Sequence, residues 1–226
     1  MFNDRYNLTE SVLSGKKTMT RRLIKTPRIF KGEDVNGYWV YRSALTNEIC
    51  EICMKDYDDM AIEGGQIFPK YNIDEVVAIA QSYKTIADNH PDVDTFILNV
   101  SKAHNIEMYD AHKLPGWTNK MFVKAELMPR HIKITDIYPQ KLQDISDEDC
   151  LKEGIFQMPD GGNFKPFAFY DNLIKVKNNI EGVTFGYYKD FDTPKEAFAN
   201  LIDCTSGKGT WDNNAYVFVY AFELIY

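Results

Sequence analysis

Apolar residues along this chain recur in two periods. Six stretches rich in β-branched and aromatic residues predict strands: Asn36 to Arg42, Glu48 to Lys55, Val76 to Tyr83, Met121 to Leu127, His131 to Ile137 and Ala215 to Tyr226. Short helices are marked by their ends. Asn7-x-x-Glu10 reads as a capping box ahead of Leu8, Val12 and Leu13, with Gly15 placed to stop the helix in a left-handed conformation. Ser146 followed by Asp147, Glu148 and Asp149 offers a cap and first-turn acids, and Gly154 a stop. Thr193-Pro194-Lys195-Glu196 is a capping box with proline at the first helical position, ahead of Ala197, Phe198, Leu201 and Ile202 at helical spacing. Strands outnumber helices and do not alternate with them. This predicts a mainly β, α+β fold, an antiparallel sheet or small barrel with helices at its rim, because a doubly wound sheet needs a helix between successive strands.

Two segments interrupt the pattern. Between Asn89 and Pro115, Val93, Phe96, Ile97 and Val100 stand at helical spacing behind Pro91, which predicts a helical insertion that packs its apolar stripe on the barrel. From Phe156 to Asp192, glycine, asparagine and aromatic residues mix without a period, as in a long, partly ordered excursion. The expected organisation is a single domain over 1–226 with insertions at about 84–118 and 156–192.

Composition narrows the partners. A chain of 226 residues, 44% hydrophobic and 14% aromatic, buries a full core, which excludes disordered and fibrous classes. Its 33 acidic side chains outnumber 26 basic ones, so duplex DNA cannot be coated by bulk electrostatics and any nucleic-acid contact must be local. No apolar run approaches the roughly 20 residues of a membrane span and the first residues lack a signal peptide's apolar core; no membrane association is expected, and the cytoplasm is the expected location. Cys50 and Cys53 form a lone C-x-x-C, while Cys150 and Cys204 are isolated. Zinc needs about four ligands, so the thiols read as buried, and no metal or cofactor is expected.

Against this acidic background, Gly15-Lys16-Lys17-Thr18-Met19-Thr20-Arg21-Arg22 packs four cations and two hydroxyls just past the first helix. Such a cluster makes a local anion site. A regular strand would send Lys17 and Thr20 to different faces, so a shared target requires a turn or bulge after Gly15. Glu153 is the second anomaly, since it closes a helix at the end where a cation is favoured by about 0.3–1 kcal/mol. Crowding by Lys16, Arg21 and Arg22 would disfavour the Lys17 ammonium and make a neutral amine accessible. The binding alternative uses the same cations for phosphate, with Trp117 and Trp211 as stacking platforms and Asn119 on a base edge.

These residues resemble a known family. The basic octet after a short helix, Glu33-Asp34-Val35 and Asp74-Glu75-Val76-Val77 leading into strands, and a helix ending Leu151-Lys152-Glu153-Gly154-Ile155 are similar to an ASCH domain (activating signal cointegrator homology). Gly116-Trp117-x-Asn119-Lys120-Met121-Phe122 running on to Pro129, and Gly207-x-Gly209-Thr210-Trp211, resemble the longer phage-associated members. The resemblance spans nearly the whole chain and implies a PUA-like β-barrel with peripheral helices and a helical insertion, related to RNA-binding modules. It implies a cleft lined by the Gly-Lys-x-Thr signature. Small bacterial N4-acetylcytidine amidohydrolases of this family use a Lys, a Thr and a Glu that correspond by position to Lys17, Thr20 and Glu153. The chain departs from them in its length, its two insertions and Arg21, where the small enzymes have an apolar residue. The implied partners are a nucleoside or short single-stranded RNA, held by Lys16, Arg21, Arg22, Trp117, Asn119, Lys120 and Trp211. The implied reaction is amide hydrolysis, with a non-catalytic RNA-binding module or a ribonuclease as alternatives. Lys17, Thr20, Arg22, Glu153 and Lys120 are expected to converge on one cleft.

Overall fold

A computed structural model describes residues 2–42, 50–158, 165–171 and 188–225. The chain begins with α1 (Leu8–Leu13), β1 (Met19–Leu23), β2 (Ile29–Phe30), β3 (Glu33–Asp34), β4 (Gly37–Arg42), β5 (Cys50–Lys55) and β6 (Ala61–Ile67). It continues through β7 (Val76–Ala78), α2 (Tyr83–Ala87), α3 (Val93–His104), β8 (His131–Lys141) and α4 (Asp147–Lys152). It ends with β9 (Phe156–Gln157), β10 (Phe167–Tyr170), β11 (Tyr188–Phe191), α5 (Pro194–Ser206) and β12 (Tyr216–Ile225). Helix and strand occur in nearly equal parts around a curled half-barrel sheet, which makes the fold α+β. No helix among the described residues is long and apolar enough to cross a membrane.

The chain forms two compact units: Val76–Ile132 with the described ends of the chain, and Asn3–Glu75 with Lys133–Glu223. In the larger unit the main sheet runs β1-β12-β8, with β1 antiparallel to β12 in an unbroken register from Met19↔Ala221 to Leu23↔Val217. Four successive β12 residues, Val217 to Tyr220, are buried, so both faces of this central strand are covered. Two further antiparallel sheets, β4-β5-β6 and β11-β10-β9, and the β2-β3 hairpin complete the unit. The described part of the excursion after Phe156 is thus a small sheet; residues 159–164 and 172–187 lie outside the described set. Cys53 and Cys150 are buried, and burial pushes the Cys150 thiol up to about 12; the side chain of Cys50 lies outside the described set.

Helix α5 follows its sequence signal closely. The Thr193 hydroxyl accepts from Glu196 N–H at 3.1 Å, Pro194 occupies the first turn, and Ala197, Phe198, Leu201 and Ile202 are buried. Thr193→Ala should therefore cost about 1 kcal/mol of unfolding free energy in urea titration, the usual worth of an N-cap hydroxyl. Past its end, the Asp203 carboxylate accepts from Gly209 N–H at 3.0 Å and Trp211 N–H at 2.8 Å, with Gly207 and Gly209 at φ +111° and +83°. The Gly-x-Gly-Thr-Trp motif is accounted for as a loop tied to its own helix.

The capping box expected at Asn7 does not form. Asn7 is left-handed at φ 55° and its side chain makes no cap bond, because a preceding one-turn helix, Asp4–Tyr6, capped by Asn3, leads the chain into α1. The strand expected from Met121 to Leu127 is also absent. Two one-turn 3-10 helices stand there: the Asn119 carboxamide accepts from Met121 N–H and Lys124 N–H donates to the Tyr83 hydroxyl, so the backbone groups a ladder would need are used elsewhere. The strand expected from Val76 to Tyr83 stops at Ala78, and the Ser82 hydroxyl turns the chain into α2.

In the smaller unit, Tyr83, Ile86, Ala87, Phe96, Val100, Ala111 and Met128 form a buried cluster, with Ile97 and Trp117 packed against it. The apolar stripe of α3 is thus satisfied within its own unit, except for Val93, which is exposed. Tyr83 is fully buried at its centre, its hydroxyl 2.9 Å from His104 Nε2.

Candidate functional site

The larger unit buries three ionisable side chains, Lys17, Arg21 and Glu153, in one connected group, with a half-buried fourth, Asp149, at its edge. Gly15, at φ +72°, ends α1, and Lys17 N–H donates to the Ser11 carbonyl, so the basic run is folded back against that helix before β1 starts at Met19. Lys17 therefore lies outside the strand's alternation. Its ammonium donates to the Met19 carbonyl at 2.7 Å, the Glu153 carbonyl at 2.7 Å and Glu153 Oε2 at 2.6 Å. Inside the strand, Arg21 shares the face of Met19 and donates from Nη1 to Glu153 Oε1 and from Nη2 to Asp149 Oδ2, each at 3.0 Å. Lys17, Arg21 and Glu153 are 2%, 5% and 4% exposed, so this is an ion-pair network withdrawn from water.

The placement of Glu153 has a physical cause. It is the C-cap of α4, where backbone carbonyls lack intrahelical donors. The segment before β1 supplies them: Thr18 N–H donates to the Lys152 carbonyl at 3.0 Å and Lys17 Nζ to that of Glu153. The cation that the helix end favours comes from a residue 136 positions away, and the carboxylate completes the pair. Gly154, at φ +106°, lets the chain leave beside this contact, since a Cβ there would sit 3.0 Å from Leu8 and 3.7 Å from the Lys17 stem.

Burial lowers the Lys17 pKa from its ordinary value. The charge and hydrogen bond of Glu153 oppose the shift, while Arg22 and Arg21 reinforce it. The expected direction is therefore met, but loss of water does more than like-charge crowding. Arg21 keeps one buried N–H, at Nε, without a hydrogen-bond partner, and its guanidinium lies 5.9 Å from the Phe198 ring centre.

The structure brings together Lys17 and Glu153 of the expected trio, and Arg21 with them. Thr20 sits on the opposite face of β1 from Arg21 and is half-buried; its hydroxyl bonds to neither Lys17 nor Glu153. Arg22 shares the Thr20 face and is exposed, as is Lys16. Trp211 is half-buried, its ring edge-on to Phe198 at 6.2 Å and its carbonyl held by Gln143. Trp117, Asn119 and Lys120 belong to the smaller unit, where each has a structural role: Trp117 packs on the Tyr83 cluster, Asn119 caps a turn and Lys120 donates to the Phe2 carbonyl.

Two members of the site escaped sequence reading. Asp149 lies one helical turn before Glu153, a spacing that puts both acids on one side of α4, which is the signal that could have found it. Tyr138 on β8 is raised in pKa by burial first and then by the charge of Asp149, with smaller effects from Arg21, Asp136 and Glu153; only the fold brings it there. A scan against protein-family models and searches of curated proteins and of solved structures each found no match.

Proposed function

We propose that this is an ASCH-type protein whose Lys17–Glu153 centre hydrolyses an amide on a modified nucleoside, with N4-acylated cytidine as the reference substrate. The observation that carries this reading is a lysine sealed from water, lowered in pKa by that burial and hydrogen-bonded to a carboxylate far away in sequence. Structural ion pairs rarely need a buried lysine, and a lysine that loses its proton more easily is suited to general-base work. In its neutral form, Lys17 can keep two hydrogens on the Met19 and Glu153 carbonyls and give up the third bond, to Glu153 Oε2. Arg21 then keeps the carboxylate paired.

In the proposed reaction the Thr20 hydroxyl passes its proton to Lys17 Nζ while Oγ1 bonds to the acyl carbon. Collapse of the tetrahedral species breaks the carbon–nitrogen bond, and the proton on Lys17 passes to the departing cytidine amine. Water then cleaves the threonine ester and releases the carboxylic acid. Thr20 faces away from Arg21 on β1, so the step requires that substrate binding turn its hydroxyl toward Lys17. The second reading, a PUA-like module that only binds RNA, is favoured by a different observation. All three Lys17 donors are already on acceptors, the arrangement of a locked ion pair. Release of acetate from N4-acetylcytidine by the wild-type protein decides between them. Turnover is expected, and its absence alongside RNA binding would leave only the module.

A further inference from the structure

Residues 114–128 of the smaller unit form no helix longer than one turn, yet a buried hydroxyl holds them at one point. Leu114, Trp117, Val123 and Leu127 pack on the cluster around Tyr83, and Gly116 lies so near that a Cβ would come within 2.7 Å of Tyr83 Cε2. The Tyr83 oxygen accepts from Lys124 N–H at 2.9 Å and stands 2.9 Å from Nε2 of His104, the last residue of α3. α2, α3 and the segment thus meet at one oxygen atom.

A phenol has one proton to give. Lys124 N–H already donates to the oxygen, and a fully buried hydroxyl needs an acceptor for its proton, so Tyr83 donates to His104 Nε2 and the neutral imidazole carries its own proton on Nδ1. Protonation of His104 would put a hydrogen on Nε2 as well. Two donors would then face one oxygen, and the hydroxyl proton would lose its acceptor inside the core.

The surrounding charges set where this happens. Burial first, and the Lys124 charge second, hold His104 below its ordinary value of 6.5, with Glu126 opposing. Lys124 Nζ donates to the Ala103 carbonyl and lies 3.9 Å from Glu126 Oε1, so the cation that the end of α3 favours is already supplied. From α2 the ring meets Tyr83, whose pKa burial raises, so the phenol keeps its proton through the acid range. Other charges on the packed elements answer each other, Lys84 with Asp88 on α2 and Lys113 with Asp110 on the turn Met108–Lys113, while Lys102, Glu107 and His112 are exposed.

We propose that His104 is a proton-operated latch: neutral, it takes the Tyr83 hydroxyl proton and keeps residues 114–128 closed on α2 and α3; protonated, it can no longer accept, and the segment opens. The latch draws on no residue of the Lys17–Glu153 centre and stands whether or not that centre is catalytic.

Hydrogen exchange at the Lys124 amide reads the latch directly. Divided by the intrinsic rate of an open amide at each pH, exchange should be flat above pH 6.5 and accelerate about tenfold per pH unit below it, because opening takes up a proton that the closed state refuses, until the folded His104 pKa is passed. His104→Gln, whose carboxamide oxygen can accept the same proton without titrating, should abolish the slope. His112→Gln and His90→Gln should keep it; His90 is the stricter control, since its Nδ1 accepts from Asp92 N–H at 3.1 Å and its ring stacks on Phe96, itself edge-on to Tyr83. Nitrogen chemical shifts of the wild-type His104 ring, which need no variant to fold, should show the proton on Nδ1 at neutral pH and a titration below 6.5. A flat wild-type exchange profile, a slope that survives His104→Gln, or a neutral ring protonated on Nε2 overturns the latch.

Discussion

Glu153→Ala is expected to lower the unfolding free energy by about 3–5 kcal/mol at neutral pH, the range seen when one partner of a buried ion pair is removed. Two cations depend on this carboxylate, Lys17 at 2.6 Å and Arg21 at 3.0 Å, and neither can reach water from its present position. Lys17→Met should cost less, on the order of 1–3 kcal/mol. It leaves Glu153 paired with Arg21, removes the ammonium's own desolvation cost and loses chiefly the hydrogen bonds to two backbone carbonyls. Urea denaturation of both variants and the double variant gives the ordering and the coupling. With Glu153 already absent, Lys17→Met should relieve an unpaired buried charge and restore part of the stability. Equal costs for the two single variants would show that Glu153 does not hold the network. Glu153→Gln, which keeps the volume and some hydrogen bonds, should fall between wild type and Glu153→Ala, and it supplies a measurable protein should the alanine variant not fold.

Local chemistry made several parts of the fold legible. Thr193-Pro194, Ser146 and the stops at Gly15 and Gly154 specify helix ends through hydroxyl caps and positive φ, effects settled within four or five residues, and all four hold. The segment from Met121 to Leu127 shows why others were not. Its apolar content suits a strand, but β pairing needs a neighbour, and Asn119 and Tyr83 claim the backbone donors first. The site divides in the same way. Lys17 and Glu153 each look anomalous alone, a cation in an acidic chain and an acid at a negative helix end, and one contact explains both. Arg21 reads in sequence as one more cation, because nothing local says that alternation in β1 turns it inward and Arg22 outward.

Loss of turnover in Lys17→Met and Thr20→Val is the largest expected effect on activity. Removing a general base lowers rates by about 10²–10⁴-fold, and removing a nucleophile should bring acetate release close to background. The pH dependence separates these roles from simple misfolding. Burial places the folded Lys17 pKa below the 10.5 of the free side chain. A base must be neutral, so wild-type kcat/KM should rise with pH through the folded pKa and level off at or before that of the free amine. Stability must carry the same signature. Above the unfolded pKa the amine is neutral in both states and burying it costs little; as pH falls from the unfolded pKa to the folded one, the unfolded chain takes up a proton that the folded protein does not, and stability is lost relative to Lys17→Met. Tyr83 and Tyr220, raised in pKa first by burial, act in the opposite sense, contributing stability below their unfolded values that is lost as pH rises through their folded ones. That contribution is common to both proteins and cancels in the difference. The difference in unfolding free energy, wild type minus Lys17→Met, should therefore increase with pH from the folded Lys17 pKa up to 10.5, the interval that begins where kcat/KM levels off. A flat difference curve with a pH-independent rate would mean that Lys17 stays an ammonium throughout, and the centre would then be an ion pair that holds α4 to β1 without acting on a substrate.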